Sequence, residues 1–201
     1  MKLVLASGNR GKLAELTDLL SPLGISVESQ VSLGVPSATE KRGTFIENAL
    51  DKARHASRHA GLPALADDSG LVVPLLGGAP GIRSARYAGE EGDDAANNAK
   101  LIAALGDAER PPAHFYCALV YLRHPDDPAP LVATGRWDGR IVREARGREG
   151  FGYDPHFYLP ELGCTAAELP AARKNRLSHR GRAMSALLEQ LRLEMAGERR
   201  A

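Results

Sequence analysis

Two adjacent aspartates, Asp67 and Asp68, stand between the apolar runs Leu62 to Ala66 and Leu71 to Leu75. A chain that buries both runs must bring a pair of carboxylates to the edge of its core, which is costly unless the charges are partnered or serve a ligand. Asp67-Asp68-Ser69-Gly70 reads as a tight polar turn between two strands. Carboxylates held at such a turn suit Mg²⁺ bound jointly with substrate phosphates. The alternative is an Asx-type turn whose carboxylates cap backbone amides, and the residues alone weigh the two readings about evenly.

The rest of the chain places this pair in an α/β protein. Lys2 to Ala6 reads as a buried strand, Ser7 to Gly11 as a glycine-containing turn and Lys12 to Leu20 as a helix. Ile25 to Gln30 is a weak strand. Thr44 and Glu47 form a capping box for a helix with the apolar stripe Ile46, Ala49, Leu50 and Ala53. Asp93 to Leu105 is helical, Phe115 to Arg123 and Leu131 to Arg136 form a hairpin across the Pro-rich connection His124 to Pro130, Ile141 to Ala145 is a further strand, and Ser178 to Met195 a terminal helix. Strand-helix and hairpin connections together imply a mixed central sheet flanked by helices.

Composition serves here to exclude. The 201 residues, 43% apolar and 25% charged, suffice for one folded domain spanning 1–201. Lys and Arg total 26 against 25 for Asp and Glu, a net +1 with no basic stripe, which argues against a nucleic-acid partner. The longest apolar stretch, Leu71 to Ile82, is broken by Pro74, Gly77, Gly78, Pro80 and Gly81, so no membrane span is expected. Met1 to Ser7 holds too short an apolar run for a signal core, and Cys117 and Cys164 are far apart without a Cys-x-x-Cys pair. A cytoplasmic protein is the expectation.

Three further segments carry possible chemistry. Ser7-Gly8-Asn9-Arg10-Gly11-Lys12 sets small residues and a cation at a helix start, where backbone amides receive phosphates; it lacks the spacing of a Walker A loop, and a plain helix-starting turn is the competing reading. Gly150-Phe151-Gly152-Tyr153-Asp154-Pro155 puts two aromatics and a carboxylate on a flexible turn, as stacking on a base and bonding its edge requires; a strand entry packing both rings in the core is the other reading. Lys174 and Ser178-His179-Arg180-Gly181 add donors at the last helix.

Together these segments, with Thr44-Phe45-Ile46-Glu47-Asn48-Ala49 and Gly78-Ala79-Pro80-Gly81-Ile82-Arg83-Ser84-Ala85-Arg86-Tyr87, resemble the inosine triphosphate pyrophosphatase family in its bacterial form, and the six ordered blocks span nearly the whole chain. The resemblance implies two lobes with a substrate cleft between them, a homodimer, and Mg²⁺-dependent hydrolysis of non-standard purine nucleoside triphosphates (ITP, dITP, XTP) to monophosphate and pyrophosphate. Carried over residue by residue, it assigns Ser7, Gly8, Asn9, Arg10, Gly11, Lys12 and Lys52 to the triphosphate, with Ser69 also at the substrate. Asp68 is the proton acceptor and, with Glu40, holds Mg²⁺; Asp67 is a more distant candidate for the metal. Phe151, Gly152, Tyr153, Asp154, Lys174, His179 and Arg180 go to the substrate, Phe151 stacking on the purine. Rival readings are a non-catalytic nucleotide sensor and a pyrophosphatase for other modified nucleotides.

Overall fold

Seven strands are built from the apolar runs: Lys2–Leu5 (β1), Ser26–Ser29 (β2), Ala64–Val72 (β3), Pro112–Leu122 (β4), Leu131–Ile141 (β5), Phe157–Leu159 (β6) and Cys164–Thr165 (β7). They form one sheet in the order β2-β1-β3-β4-β5-β6-β7. The computed structural model that shows this describes residues 2–8, 13, 16–17, 20–39, 41–89 and 92–198. β1 pairs in parallel with β2 and β3, whereas β5, β6 and β7 pair antiparallel. The sheet is therefore mixed, with helices Phe45–Ala60 (α1), Asp94–Ala104 (α2), Ala171–Leu177 (α3) and His179–Glu198 (α4) beside it. Leu13, Leu16, Thr17 and Leu20 are helical as expected, and the rest of the 12–19 segment lies outside the described residues.

The expected turn at Asp67-Asp68-Ser69-Gly70 does not exist. β3 runs unbroken from Ala64 to Val72, merging the two strands read on either side. Turn propensity here is overridden by position, because β3 lies between β1 and β4 and the sheet supplies hydrogen-bond partners on both edges. Two other boundaries shift for local reasons. β5 continues past Arg136 to Ile141, and Ile141 to Ala145 is not a separate strand. Gly139 permits the extension, since a Cβ there would lie 2.6 Å from the Phe157 ring of β6. Beyond Ile141 the chain leaves the sheet, Arg146 donating to the Pro155 carbonyl at 3.0 Å.

The chain divides into two compact units. The first comprises Met1–Asp68, Cys117–Thr134 and Ala183–Ala201. Its core joins Leu3 and Leu5 of β1, Leu65 of β3, Cys117 and Leu119 of β4, and Met184, Leu187 and Leu191 of α4. α1 packs against β1 through a face of small residues, Ala49, Ala53 and Ala56, with Asn48 buried among them. Ile46, placed in that stripe from the sequence, is exposed instead. The second unit comprises Ser69–Tyr116 and Gly135–Arg182, around Leu71, Leu101, Phe115, Trp137, Tyr153 and Phe157. No helix among the described residues is long and apolar enough to cross a membrane.

α1 opens as its sequence requires. The Thr44 hydroxyl accepts from the Glu47 amide at 3.2 Å and donates to the Glu47 carboxylate at 2.7 Å. Thr44→Ala is expected to lower stability by about 1 kcal/mol, read from urea denaturation. The β4–β5 connection closes on the buried Asp127, which accepts from Arg123 Nη2 at 2.7 Å, Arg123 Nε at 2.9 Å and the Ala129 amide at 3.0 Å. Arg123 is the main reason that this carboxyl is held well below the usual carboxylate range. Its stabilisation is fully present above the unfolded carboxyl value of about 3.9 and is lost as pH falls through the depressed folded value. Asp127→Asn is therefore expected to lose stability at neutral pH, and its deficit relative to wild type should narrow in acid when both are unfolded thermally across pH.

Candidate functional site

In the first unit, the central group is the carboxylate of Asp68, 6% exposed on β3. Lys52 Nζ donates to Oδ1 at 2.8 Å and Asn48 Nδ2 to Oδ2 at 3.2 Å. Both donors come from α1, one turn apart, so the i, i+4 face that carries them is the face turned to β3. Asn48 is fixed in turn, its Oδ1 accepting from the Arg42 amide at 3.0 Å. A buried carboxylate left without such partners would cost several kcal/mol.

Strand geometry separates the two aspartates. Successive side chains in a strand point to opposite faces, so Asp67, 1% exposed, lies on the face of Leu65, away from α1. The reading of two carboxylates side by side at one turn is thus corrected to one carboxylate on each face. Asp68 is a hard oxygen donor of the kind Mg²⁺ takes, and Mg²⁺ is commonly held by one or two carboxylates with phosphate oxygens completing the set. Among the described residues there is no group of three or more His, Cys, Asp or Glu side chains able to hold a metal ion. Ser7 is half-buried and its amide donates to the Leu5 carbonyl at 2.8 Å, while Gly8 is exposed. Asn9, Arg10, Gly11, Lys12 and Glu40 lie outside the described residues.

In the second unit, Ser69 follows Asp68 on β3 and is half-buried. Asp154 is buried, accepting from the Phe151 amide at 2.9 Å and from the Lys174 ammonium. Above it, Phe151 is 51% exposed, with Lys174 Nζ 4.8 Å and Arg180 Cζ 5.7 Å from its ring centroid. Tyr153 is 3% exposed, and its hydroxyl donates to the Ser84 carbonyl at 2.8 Å. Burial, with smaller contributions from Tyr87 and Asp94, raises its phenol far above the ordinary value, so it remains a donor. The two rings of this segment therefore divide: Tyr153 enters the core, and Phe151 is presented.

His179 and Arg180 are placed by a helix junction. Ser178 Oγ accepts from the Gly181 amide at 3.2 Å and so caps α4. Gly181 lets α4 start hard against the end of α3, because a Cβ there would lie 1.8 Å from the Asn175 carbonyl oxygen. α3 itself, which carries Lys174, was not legible as a helix; Pro170 preceding Ala171 is the one signal for it. His179 stacks on Phe115 at 4.8 Å with 11° between planes, and both His179 and Arg180 are buried.

A model of the Ham1 family matches residues 3–190. The chain belongs to the Ham1 family. The dITP/XTP pyrophosphatase of Ralstonia nicotianae is 59% identical over 196 residues, covering 96% of this chain and 97% of its own length. That of Nitrosomonas europaea is 57% identical over 190 residues and covers 94% of each chain. Among solved structures, a HAM1 protein from Coxiella burnetii superposes with a TM-score of 0.90 at 48% identity, over 95% of this chain and 98% of its own. The Staphylococcus aureus Ham1 protein gives 0.87 at 37% identity, over 96% and 100%.

Within this Ham1 chain, three neighbours of the predicted residues had no assigned role in the sequence reading. Asn48 holds Asp68, and Asp94 and Asn98 of α2 bond the backbone of Gly152. Only the i, i+4 relation of Asn48 to Lys52 signalled the first. Gly150 is tightly constrained beside the Asp154–Lys174 pair, at φ +80° and with a Cβ site 2.2 Å from Asp154 Oδ2 and 2.8 Å from Lys174 Nζ. Gly150→Ala is expected to push the Asp154–Lys174 pair apart and to cost roughly 1–3 kcal/mol in backbone strain, measurable by thermal unfolding.

Proposed function

We propose that residues 1–201 form a single pyrophosphatase domain that hydrolyses non-standard purine nucleoside triphosphates (ITP, dITP and XTP) to monophosphate and pyrophosphate. The reading is supported by relatives of this name, one of them 59% identical along nearly the whole chain. The observation that carries the chemistry is the buried Asp68 carboxylate with both oxygens oriented by Lys52 and Asn48.

In the reaction a water oxygen bonds to the α phosphorus as the α–β bridging bond breaks, and pyrophosphate leaves. Asp68 orients that water and accepts its proton, so no covalent intermediate is required. Lys52, a cation at Asp68, and Lys12, as the resemblance implies, neutralise phosphate oxygens. Asp68 and Glu40 would hold Mg²⁺, which supplies charge stabilisation at the phosphates. Ser7 to Lys12 receive the triphosphate, with Ser69 also contacting substrate.

Base choice belongs to the second cluster. Phe151 stacks on the purine, its ring left half exposed for that purpose. A deaminated purine carries a keto oxygen and a protonated N1, where adenine carries an amino donor and a bare N1. Arg180 and His179 supply donors for the keto oxygen, Asp154 an acceptor for the N1 edge, and Lys174 holds Asp154 in place. Gly152 and Tyr153 shape the turn that carries these groups. The protein is further proposed to act as a cytoplasmic homodimer.

The test is product analysis with Mg²⁺ and ITP, XTP, GTP or ATP, for wild type and Asp68→Asn. Pyrophosphate with monophosphate from ITP and XTP, reduced at least a hundredfold in the variant, is the expected result. Orthophosphate as product would place attack at the γ phosphorus and refute the reaction. Binding without turnover of any of these would favour a sensor.

A further inference from the structure

Phe151 is an odd stacking platform, because its ring has charged neighbours and open solvent around it and sits on a glycine-flanked turn. A ring so placed presents one orientation only if its backbone is fixed by other means. The fixing comes from α2. The Gly152 amide donates to Asp94 Oδ2 at 2.7 Å, and Asn98 Nδ2 donates to the Gly152 carbonyl at 2.9 Å. The peptides on both sides of Gly152 are therefore pinned to one helix, by residues 58 and 54 positions away in sequence. The same Asn98 amide nitrogen also donates to the Asp94 carbonyl at 2.9 Å, tying the two clamp residues together.

The clamp extends to a second loop. Asn97 accepts from the Ala88 amide at 2.7 Å and donates to the Ala85 carbonyl at 3.2 Å, so consecutive residues of α2 hold the 85–88 and 151–153 segments. Tyr153 closes the circuit onto Ser84, whose hydroxyl accepts from the Leu71 amide of β3 at 2.8 Å. Asp93 already caps α2, accepting from the Ala96 amide at 2.9 Å, which leaves the neighbouring Asp94 carboxylate for Gly152. Asp94 is exposed and Asn98 half-buried, so neither is accounted for by core packing.

We infer that Asp94 and Asn98 are positioning residues for base recognition, holding the Phe151–Gly152–Tyr153 backbone so that the Phe151 ring is presented in one orientation. The inference rests on the reading of Phe151 as the purine platform. It assigns these residues to binding of the base rather than to hydrolysis, because both bond the backbone of Gly152, next to Phe151. Pre-organisation of this kind raises affinity by removing the ordering cost that a mobile loop would bear on binding.

The test is titration calorimetry of inosine monophosphate, and separately of adenosine monophosphate, into wild type, Asp94→Ala, Asn98→Ala and Asp94→Asn, with ITP turnover and thermal unfolding measured on each. Asp94→Ala and Asn98→Ala are expected to weaken inosine monophosphate about tenfold, the loss of one such hydrogen bond. They should also narrow its advantage over adenosine monophosphate and raise KM for ITP while kcat changes less than about twofold. Asp94→Asn retains an acceptor oxygen and is expected to restore most of the affinity. Unchanged affinity in both alanine variants overturns the inference, as does a loss equal for the two nucleotides that tracks a fall in melting temperature. Failure of wild type to hydrolyse ITP while these binding differences persist would count against the pyrophosphatase reading and not against the clamp.

Discussion

A carboxylate buried in the middle of a sheet is tolerable only with donors on its oxygens, and that requirement at Asp68 organises the first unit. Lys52 and Asn48 reach it because α1 lies close to the sheet, and α1 lies close because its inward face is alanine. Larger residues at Ala49, Ala53 or Ala56 would push the helix out and draw the ammonium and amide away with it. The capping box at Thr44 fixes where the helix begins and thereby the register of Asn48 and Lys52. A local signal, a packing choice and a charge pair thus depend on one another.

The second unit solves a different problem, the exposure of an aromatic face without loss of its position. Asp154 holds the Phe151 amide, Lys174 holds Asp154, and Tyr153 anchors the turn in the core. The bonds of Lys174 and Tyr153 join segments 20 and 69 positions apart in sequence, so the turn is rigid only within the folded unit. Gly150 and Gly181 are two of the positions where close packing excludes a side chain, one beside the Asp154–Lys174 pair and one at the α3–α4 junction.

Much of the fold was legible because it follows from local chemistry. The Thr44-x-x-Glu47 box, the helix capped by Asp93 and the hairpin around Asp127 each combine a periodic apolar run with a stop or cap that acts over a few residues. The failures share a cause. Asp67-Asp68-Ser69-Gly70 has the composition of a turn, and only its place between β1 and β4 makes it a strand. Arg136 looks like the end of β5, and only the Phe157 ring, which leaves no room for a side chain at Gly139, shows why the strand goes on. Ile46 looks like core until Asn48 and Lys52 take the inward face.

By itself the sequence determined the residue types: a carboxylate pair between apolar runs, a glycine-flanked aromatic turn, a basic Ser-His-Arg-Gly helix start, and a family resemblance that the Ham1 match supports. Tertiary structure decided which of those residues act together. Strand alternation turned Asp67 and Asp68 to opposite faces, and burial sent Tyr153 inward while leaving Phe151 presented. The partners Asn48, Asp94 and Asn98 came from helices remote in sequence from the groups they hold. The physical reason is range: caps, turns and periodicity act over a few residues and are written locally, whereas charge pairing and backbone clamping join positions that only the completed packing brings within 3 Å or so of each other.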